Sequence, residues 1–464
     1  MIKIDFTNVM SDVIGEKHGI LFEEIEAYKE IVKEVHEKIK EERNNSFYFT
    51  KLSYQHTEEI KKLATEIREN FDYFVAIGIG GSALGNQMIQ EAINGFNYNN
   101  FNYPKFYIMD NVDPEKIDNI FDLIDIRKTM FNVITKSGST VETIANFSIV
   151  LTTLRDELGE NYKDHLIFTT DPEKGFLRKF GEREGIKMLD IPPKVGGRFS
   201  VLSNVGLLSS AICGIDIDLL LEGARKADEL CMKISNPLEN PAYLIGLIHY
   251  LACERKGKHI SVMMPYFERL SSFVDWYRQL WAESLGKEGF GQTPLKSIGT
   301  IDQHSQIQLF REGPKDKIIT FLKVLESSRD YKIPKDIPEE IGYLANHSLK
   351  EILDIELEGT KAALIKSQVP NLTITIDRLD PYNLGMVIYI YELATGFTGL
   401  LYKINPFDQP AVEEGKDFAY GLMGRKGYEK KLEEYRELVK EKYVLKIQWI
   451  VYLEGWEIRN FYRI

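Results

Sequence analysis

The run Thr135-Lys136-Ser137-Gly138-Ser139-Thr140-Val141-Glu142-Thr143 gathers five hydroxyls, a lysine, a glycine and a carboxylate. An apolar stretch, 130–134, precedes it and reads as a buried strand; a helix-like stretch, 144–151, follows. A strand that breaks into hydroxyls and then enters a helix can cradle a phosphate. The helix N-terminus offers unpaired N–H groups and partial positive charge, and the hydroxyls add donors. The same residues also suit an ordinary capped helix, with Ser139 or Thr140 as N-cap and Glu142 in the first turn. A second turn, Gly78-Ile79-Gly80-Gly81-Ser82-Ala83, follows another short apolar strand at 73–77. Its Gly78-x-Gly80-x-x-Ala83 spacing matches a dinucleotide fingerprint, with Asp110 at the end of the next strand as the candidate ribose partner. Gly81 and Ser82 suit close approach of one phosphate, and two adjacent turns could clamp a single phosphomonoester from two sides.

Both turns need a sheet to hold them. Strands at 73–77, 106–109, 131–134 and 165–169 alternate with helical stretches, which implies a parallel sheet with ligands at the strands' carboxyl ends. A second β/α series begins at 259–265 and continues with strands at 317–321 and 371–376 and helices at 267–284, 344–368 and 381–402. The fold class expected is therefore α/β, with two domains, each a mainly parallel sheet flanked by helices. Residues 1–45 read as an N-terminal helical arm, amphipathic over 21–40, with His36 and His56 as surface histidines. The first domain is expected over 46–235 and the second over 236–442, with the boundary at Asn236-Pro237 in a long helical region. His18, His165, His259 and His347 read as structural or surface residues.

The composition of the 464 residues, 44% hydrophobic and 28% charged, is that of a globular protein. No uninterrupted apolar run looks long enough to span a bilayer, and no signal-peptide order is visible at the N-terminus. Cys213, Cys231 and Cys253 form no Cys-x-x-Cys pair, so neither structural zinc nor a disulfide framework is expected, and a reducing cytoplasm fits. The net charge of −12 argues against nucleic-acid binding and means that an anionic substrate needs a local basic site.

Three further stretches bring a resemblance. They are Val195-Gly196-Gly197-Arg198-Phe199-Ser200-Val201-Leu202-Ser203; Gln279-Leu280-Trp281-Ala282-Glu283-Ser284-Leu285-Gly286-Lys287 with Gly299-Thr300-Ile301-Asp302-Gln303-His304-Ser305; and Asn405-Pro406-Phe407-Asp408-Gln409-Pro410-Ala411-Val412-Glu413-Glu414-Gly415-Lys416. With the two turns, over about residues 70–425, they resemble the glucose-6-phosphate isomerase family of the sugar isomerase (SIS) fold, in its shorter bacterial form. The ending departs from that form, which usually stops near Lys442. The apolar, aromatic residues 443–464 receive no role.

The resemblance implies an aldose–ketose isomerisation of glucose 6-phosphate to fructose 6-phosphate by ring opening and proton transfer between C1 and C2. No metal and no cofactor is expected, because side chains can supply acid, base and oxyanion stabiliser. Glu283 is implied as the proton carrier, Arg198 as the charge facing the enediolate, His304 as the ring-opening group with Lys416 as its partner, and Gln409 as a substrate contact. Gly81, Ser82, Thr135, Lys136, Ser137 and Thr140 are implied at the phosphate, and Glu142 as a residue orienting Arg198 or a water. In the family the histidine comes from the neighbouring subunit, so a homodimer is implied. On position alone Glu283 would be a surface helix acid, Arg198 a loop anchor, His304 a capping residue and Lys416 one more basic group among 58.

Overall fold

A computed structural model describes residues 2–440 and 443–445, so nearly all of the expected tail at 443–464 lies outside the described residues. Contacts group the chain into two compact units, 1–408 and 409–464.

The first unit contains two five-stranded sheets. In chain order the strands are β1 (Ile2–Asp5), β2 (Tyr73–Ile77), β3 (Lys105–Met109), β4 (Thr129–Thr135), β5 (Leu166–Thr170), β6 (Lys187–Asp190), β7 (Ile260–Pro265), β8 (Thr293–Lys296), β9 (Lys317–Glu326) and β10 (Asn371–Arg378). One sheet has the order β3-β2-β4-β5-β6 and is parallel throughout. The other runs β1-β10-β9-β7-β8, parallel except for the antiparallel edge strand β1. In the first sheet the chain steps from β2 to β3 on one side and returns to β4 on the other. The order therefore reverses between β2 and β4, and the crevice outside their carboxyl ends is where an open α/β sheet binds ligands. The glycine turn follows β2 and the hydroxyl run follows β4.

Both faces of each sheet are covered at its centre, which is why strands such as β2, β4, β5 and β7 read as continuous apolar runs rather than alternating ones. Phe74 and Ala76 of β2 face a central core that also contains Leu372 and Ile374 of β10. Val75 and Ile77 face a separate outer core with Phe131, Phe147 and Phe168. The central core draws on both sheets within unit 1–408, and around residue 236 the chain turns between helices Ile217–Lys233 and Pro241–Lys256.

Helices Ile217–Lys233 and Pro381–Leu401 cross almost backbone to backbone. A Cβ on Gly385 would lie 1.9 Å from the Leu220 carbonyl oxygen, and one on Gly223 would lie 1.8 Å from that of Tyr382. Nearby, Asp228, 1% exposed, accepts on both oxygens from Arg43 Nη2 at 2.8 Å, with the Tyr54 hydroxyl donating at 2.7 Å. Tyr389 also donates to it. This cluster ties the N-terminal segment to the body.

Four expectations are corrected. Helix Pro381–Leu401 is in fact long and apolar enough to cross a membrane by length and composition, but it is mostly buried inside the fold as a core helix. Residues 1–45 are not purely a helical arm, because β1 pairs with β10 through Ile2↔Ile376 to Asp5↔Thr373. The short strands β6 and β8 add to the expected set; each has four residues, with exposed and half-buried positions that give no apolar run. His36 is buried, not on the surface. It falls on the Val32, Val35 and Ile39 face of helix Lys29–Glu41, and its Nδ1 lies 2.9 Å from the Tyr243 hydroxyl.

His249 is likewise enclosed, on helix Pro241–Lys256. Gln292 Nε2 donates to the Lys258 carbonyl, leaving its Oε1 to accept from His249 Nδ1 at 3.0 Å, while His249 Nε2 faces Thr320 Oγ1 at 3.3 Å. Burial pushes the imidazole down to about 4, with the Gln292 hydrogen bond opposing. The unfolded chain binds a proton here near pH 6.5, so it holds more protons than the native state between about pH 6.5 and 4, and stability falls as pH drops through that window. His249→Asn is expected to flatten this part of the pH–stability curve by about 3 kcal/mol; urea melts across the window would show an unchanged slope if the ring were charged in the native state.

Candidate active site

Arg198 stands at the centre of the site. Val195 is followed by two glycines, and Gly197–Phe199 form one turn of 3-10 helix that places the guanidinium inside the protein, 4% exposed. Arg198 Nε donates to Ser284 Oγ at 2.7 Å, Nη1 to Glu283 Oε1 at 3.1 Å, and Nη2 to the carbonyls of Pro406 at 2.7 Å and Asp408 at 3.1 Å. Burial pushes its pKa below the ordinary arginine value, and the nearby charges of Glu283 and Asp408 oppose that. The Asn405–Asp408 loop is braced in turn: Asn405 Nδ2 donates to Asp408 Oδ2 at 2.9 Å, and Lys287 Nζ pairs with Asp408 Oδ1 at 2.8 Å. Lys287 holds the Asp408 carboxyl below its usual range. Phe199 packs with Phe49 and Phe407, and Phe407 with Phe47, so the N-terminal segment backs the arginine turn.

Glu283 projects from the last turn of helix Ser271–Leu285 with a quarter of its side chain exposed. Oε1 meets Arg198, and Oε2 accepts from Gln279 Nε2 at 3.0 Å. Gln279 has no role in the sequence reading, although a residue four before an acid on a helix shares its face. Its amide also abuts the glycine turn, since a Cβ on Gly80 would lie 2.8 Å from Gln279 Nε2. Ser284 escapes that reading for a different reason: only the three-dimensional approach of Arg198 gives its hydroxyl a task.

Gly80–Ser82 form a 3-10 turn after β2, before helix Leu84–Asn94. Gly81 lies so close to the arginine turn that a Cβ would fall 2.2 Å from the Gly197 carbonyl oxygen. Only glycine permits that approach. Ser82, half-buried, closes the turn. Across the switch point, Thr135 Oγ1 lies 2.8 Å from Thr140 Oγ1 and 3.3 Å from Ser137 Oγ, and Ser137 Oγ lies 3.2 Å from Thr140 Oγ1. Three hydroxyls thus converge at the start of helix Val141–Leu158. Thr140 is the N-cap residue but makes no side-chain capping bond. Its hydroxyl joins the other two rather than the helix end, so the ordinary-cap alternative does not describe it. Gly138, at φ 66°, turns the loop back against Gly175.

Lys136 donates to the carbonyls of Pro193 at 2.6 Å and Val195 at 2.8 Å. Glu142 lies half-buried in the first turn of helix Val141–Leu158, whereas the carboxylate bonded to Arg198 is that of Glu283. Asp110, the candidate ribose partner of the dinucleotide reading, is ion-paired with Lys116. His304 is exposed at the end of a single 3-10 turn, Ile301–His304, and not at the start of a helix. That turn is knitted by Asp302, whose Oδ2 accepts from the Ile298 amide at 2.6 Å. Gln409 and Lys416 belong to the second unit: Gln409 stands at the N-cap position of helix Pro410–Leu422, and Lys416 on that helix pairs with Glu413 Oε1 at 2.7 Å. No group of three or more His, Cys, Asp or Glu residues with metal-binding geometry occurs among the described residues.

An arginine clamped beside a helix carboxylate, above two phosphate-type turns, is the arrangement that the comparisons with known proteins bear on. Residues 55–437 match the family described as phosphoglucose isomerase. The chain belongs to that family. It is 44% identical to the glucose-6-phosphate isomerase of Carboxydothermus hydrogenoformans over 459 residues, covering 95% of this chain and 98% of the relative. Among solved structures, a hypothetical protein from Thermus thermophilus superposes with a TM-score of 0.79 at 35% identity, covering 91% of this chain and all of that one. A glucose-6-phosphate isomerase from Chlamydia trachomatis gives a TM-score of 0.80 at 19% identity, covering 94% and 92%, which shows the shared fold. As a phosphoglucose isomerase family member, the protein is an aldose–ketose isomerase.

Ser284 is 0% exposed, so removing its hydroxyl leaves Arg198 Nε without that acceptor in a buried place. Ser284→Ala is expected to lower unfolding stability by about 2 kcal/mol and Ser284→Thr by much less. Equal denaturant midpoints for the alanine variant and the parent would show that this hydrogen bond contributes nothing.

Proposed function

We propose that the protein interconverts glucose 6-phosphate and fructose 6-phosphate through ring opening and a cis-enediol(ate), as a step of glycolysis and gluconeogenesis. The single observation that carries this reading is the Arg198–Glu283 pair at 3.1 Å, with the glycine turn packed against Gly197 and Gln279 beside it. A carboxylate that removes a proton from carbon needs a positive charge or hydrogen-bond donors within reach of the oxygen that becomes negative, and the buried Arg198 guanidinium offers both. Glu283 takes the proton from C2 and returns it to C1, while a hydroxyl proton passes from O2 to O1. Arg198 faces the developing enediolate. Thr135, Ser137, Thr140, Gly81 and Ser82 take the phosphoryl group through hydroxyls and N–H donors at the switch point.

His304 opens the ring with Lys416 as its partner, and Gln409 contacts the substrate. His304 acts in the neighbouring subunit of a homodimer; its exposure, beside Ile301 at 60% and Leu309 at 54% exposed, supports an interface role. The three free, buried cysteines favour a reducing compartment, the cytoplasm.

A coupled assay in both directions tests the activity; absence of turnover by the purified protein refutes it. Glu283→Gln should abolish turnover while inorganic phosphate still binds, and His304→Ala should be nearly inactive. Mixing and re-associating the two variants discriminates the shared site. One of the two sites in a mixed dimer then has both Glu283 and His304 intact, so activity returns. A mixture that stays dead places His304 and Glu283 of one site in the same chain.

A further inference from the structure

Lys136 lies within the hydroxyl run, yet its ammonium reaches away to a different loop. Two of its three N–H donors are held by the Pro193 carbonyl at 2.6 Å and the Val195 carbonyl at 2.8 Å. Val195 is 1% exposed and begins the Val195-Gly196-Gly197-Arg198 turn. The lysine therefore crosses from the loop after β4 to the root of the arginine turn. Burial pushes its ammonium pKa down and Asp171 opposes that, so charge there has been drawn into the protein instead of being left in solvent. A second contact joins the same parts: Gly81, in the turn after β2, packs on Gly197, where a Cβ would fall 2.2 Å from the carbonyl oxygen. Both phosphate-type turns thus press on the short segment that aims Arg198, one through a backbone contact and the other through a side-chain strut.

We propose that Lys136 is a positioning residue that couples seating of the substrate's phosphoryl group to the placement of the Arg198 guanidinium. The inference rests on the function proposed above. When Thr135, Ser137 and Thr140 close on a phosphate, the loop that carries them is fixed, and Lys136 transmits that fixation to the carbonyls of Pro193 and Val195. Binding energy at the non-reacting end of the sugar is then used to hold the charge that the transition state needs at the other end. The strut touches neither the phosphate nor the reacting carbons.

The test compares the parent with Lys136→Met, which keeps the methylene stem and removes the donors, and with Lys136→Arg, which keeps charge and donors. Steady-state kinetics are measured in both directions, with inorganic phosphate as the competitive inhibitor. The expected result is a fall in kcat of roughly 10- to 100-fold for Lys136→Met, an unchanged KM and an unchanged inhibition constant for phosphate, and substantial recovery of kcat in Lys136→Arg. A rise in both KM and the phosphate inhibition constant, whatever happens to kcat, overturns the proposal and makes Lys136 a direct phosphate ligand. A kcat equal to the parent's, per folded enzyme, overturns it in favour of a purely structural lysine. If Lys136→Met does not fold, Lys136→Gln is measured by the same criteria. Turnover by the parent with an undiminished variant defeats the strut alone, whereas no turnover by the parent defeats the functional reading with it.

Discussion

The site depends on one constraint: a guanidinium has been taken out of water and must be held by groups that leave its charge usable. Burying an isolated cation is costly unless hydrogen bonds replace its hydration. Here the replacement includes a hydroxyl, two backbone carbonyls and a carboxylate, from Ser284, Pro406, Asp408 and Glu283. They come from positions far apart in the chain, a helix end and a loop some 120 residues later. Much of the architecture serves to bring them together. The Asn405–Asp408 loop is locked by Asn405 and Lys287, and the Phe47, Phe49, Phe199 and Phe407 rings fill the space behind it. Those rings tie the arginine turn to the N-terminal segment, which the Arg43–Asp228 pair fastens to the core.

The sheet explains why phosphate-type turns lie beside that arginine. Order reversal between β2 and β4 leaves a crevice at their carboxyl ends, and both turns emerge there. Glycine at 81 lets the first turn reach the Gly197 backbone, and Lys136 carries the second to Val195. The two turns and the arginine segment are consequently one mechanical assembly, although they are separate motifs in the chain.

The legible and illegible parts of this fold divide on physical grounds. Long strands buried on both faces, such as β2 and β4, announce themselves as unbroken apolar runs, and the glycine and hydroxyl turns punctuate them. Four-residue strands such as β6 and β8 carry too few buried positions to show a pattern. β1 depends on pairing with β10, more than 350 residues away, which no local window can register. His36 reads as a surface residue because its neighbours are charged, although its spacing from Val32 and Ile39 puts it on the buried stripe. Helix Pro381–Leu401 reads in sequence as an ordinary helix, yet it is apolar on all sides because other helices surround it. In the site, the meeting of Glu283 and Arg198 has no local signature, since a helix acid and a loop arginine so far apart in the chain carry no sequence pattern that pairs them. The task of Lys136 is not legible at all: its partners are two main-chain carbonyls, and any sequence supplies those.

The choice of acceptors around Arg198 also bears on the chemistry. Carbonyls stabilise a cation through their dipoles without cancelling its charge, whereas carboxylates on every side would leave little field for a substrate anion. Glu283 meets the guanidinium through its carboxylate; Asp408 meets it through its carbonyl, and the Asp408 carboxylate is engaged by Lys287. In the proposed reaction Glu283 loses its negative charge at the moment it receives the substrate proton, and the enediolate oxygen acquires one. The charge facing Arg198 is thereby relocated instead of created, from the carboxylate to the substrate. A preorganised cation needs little reorganisation to follow such a shift, and the fixed carbonyl frame behind Arg198 is what keeps it in place while the proton moves.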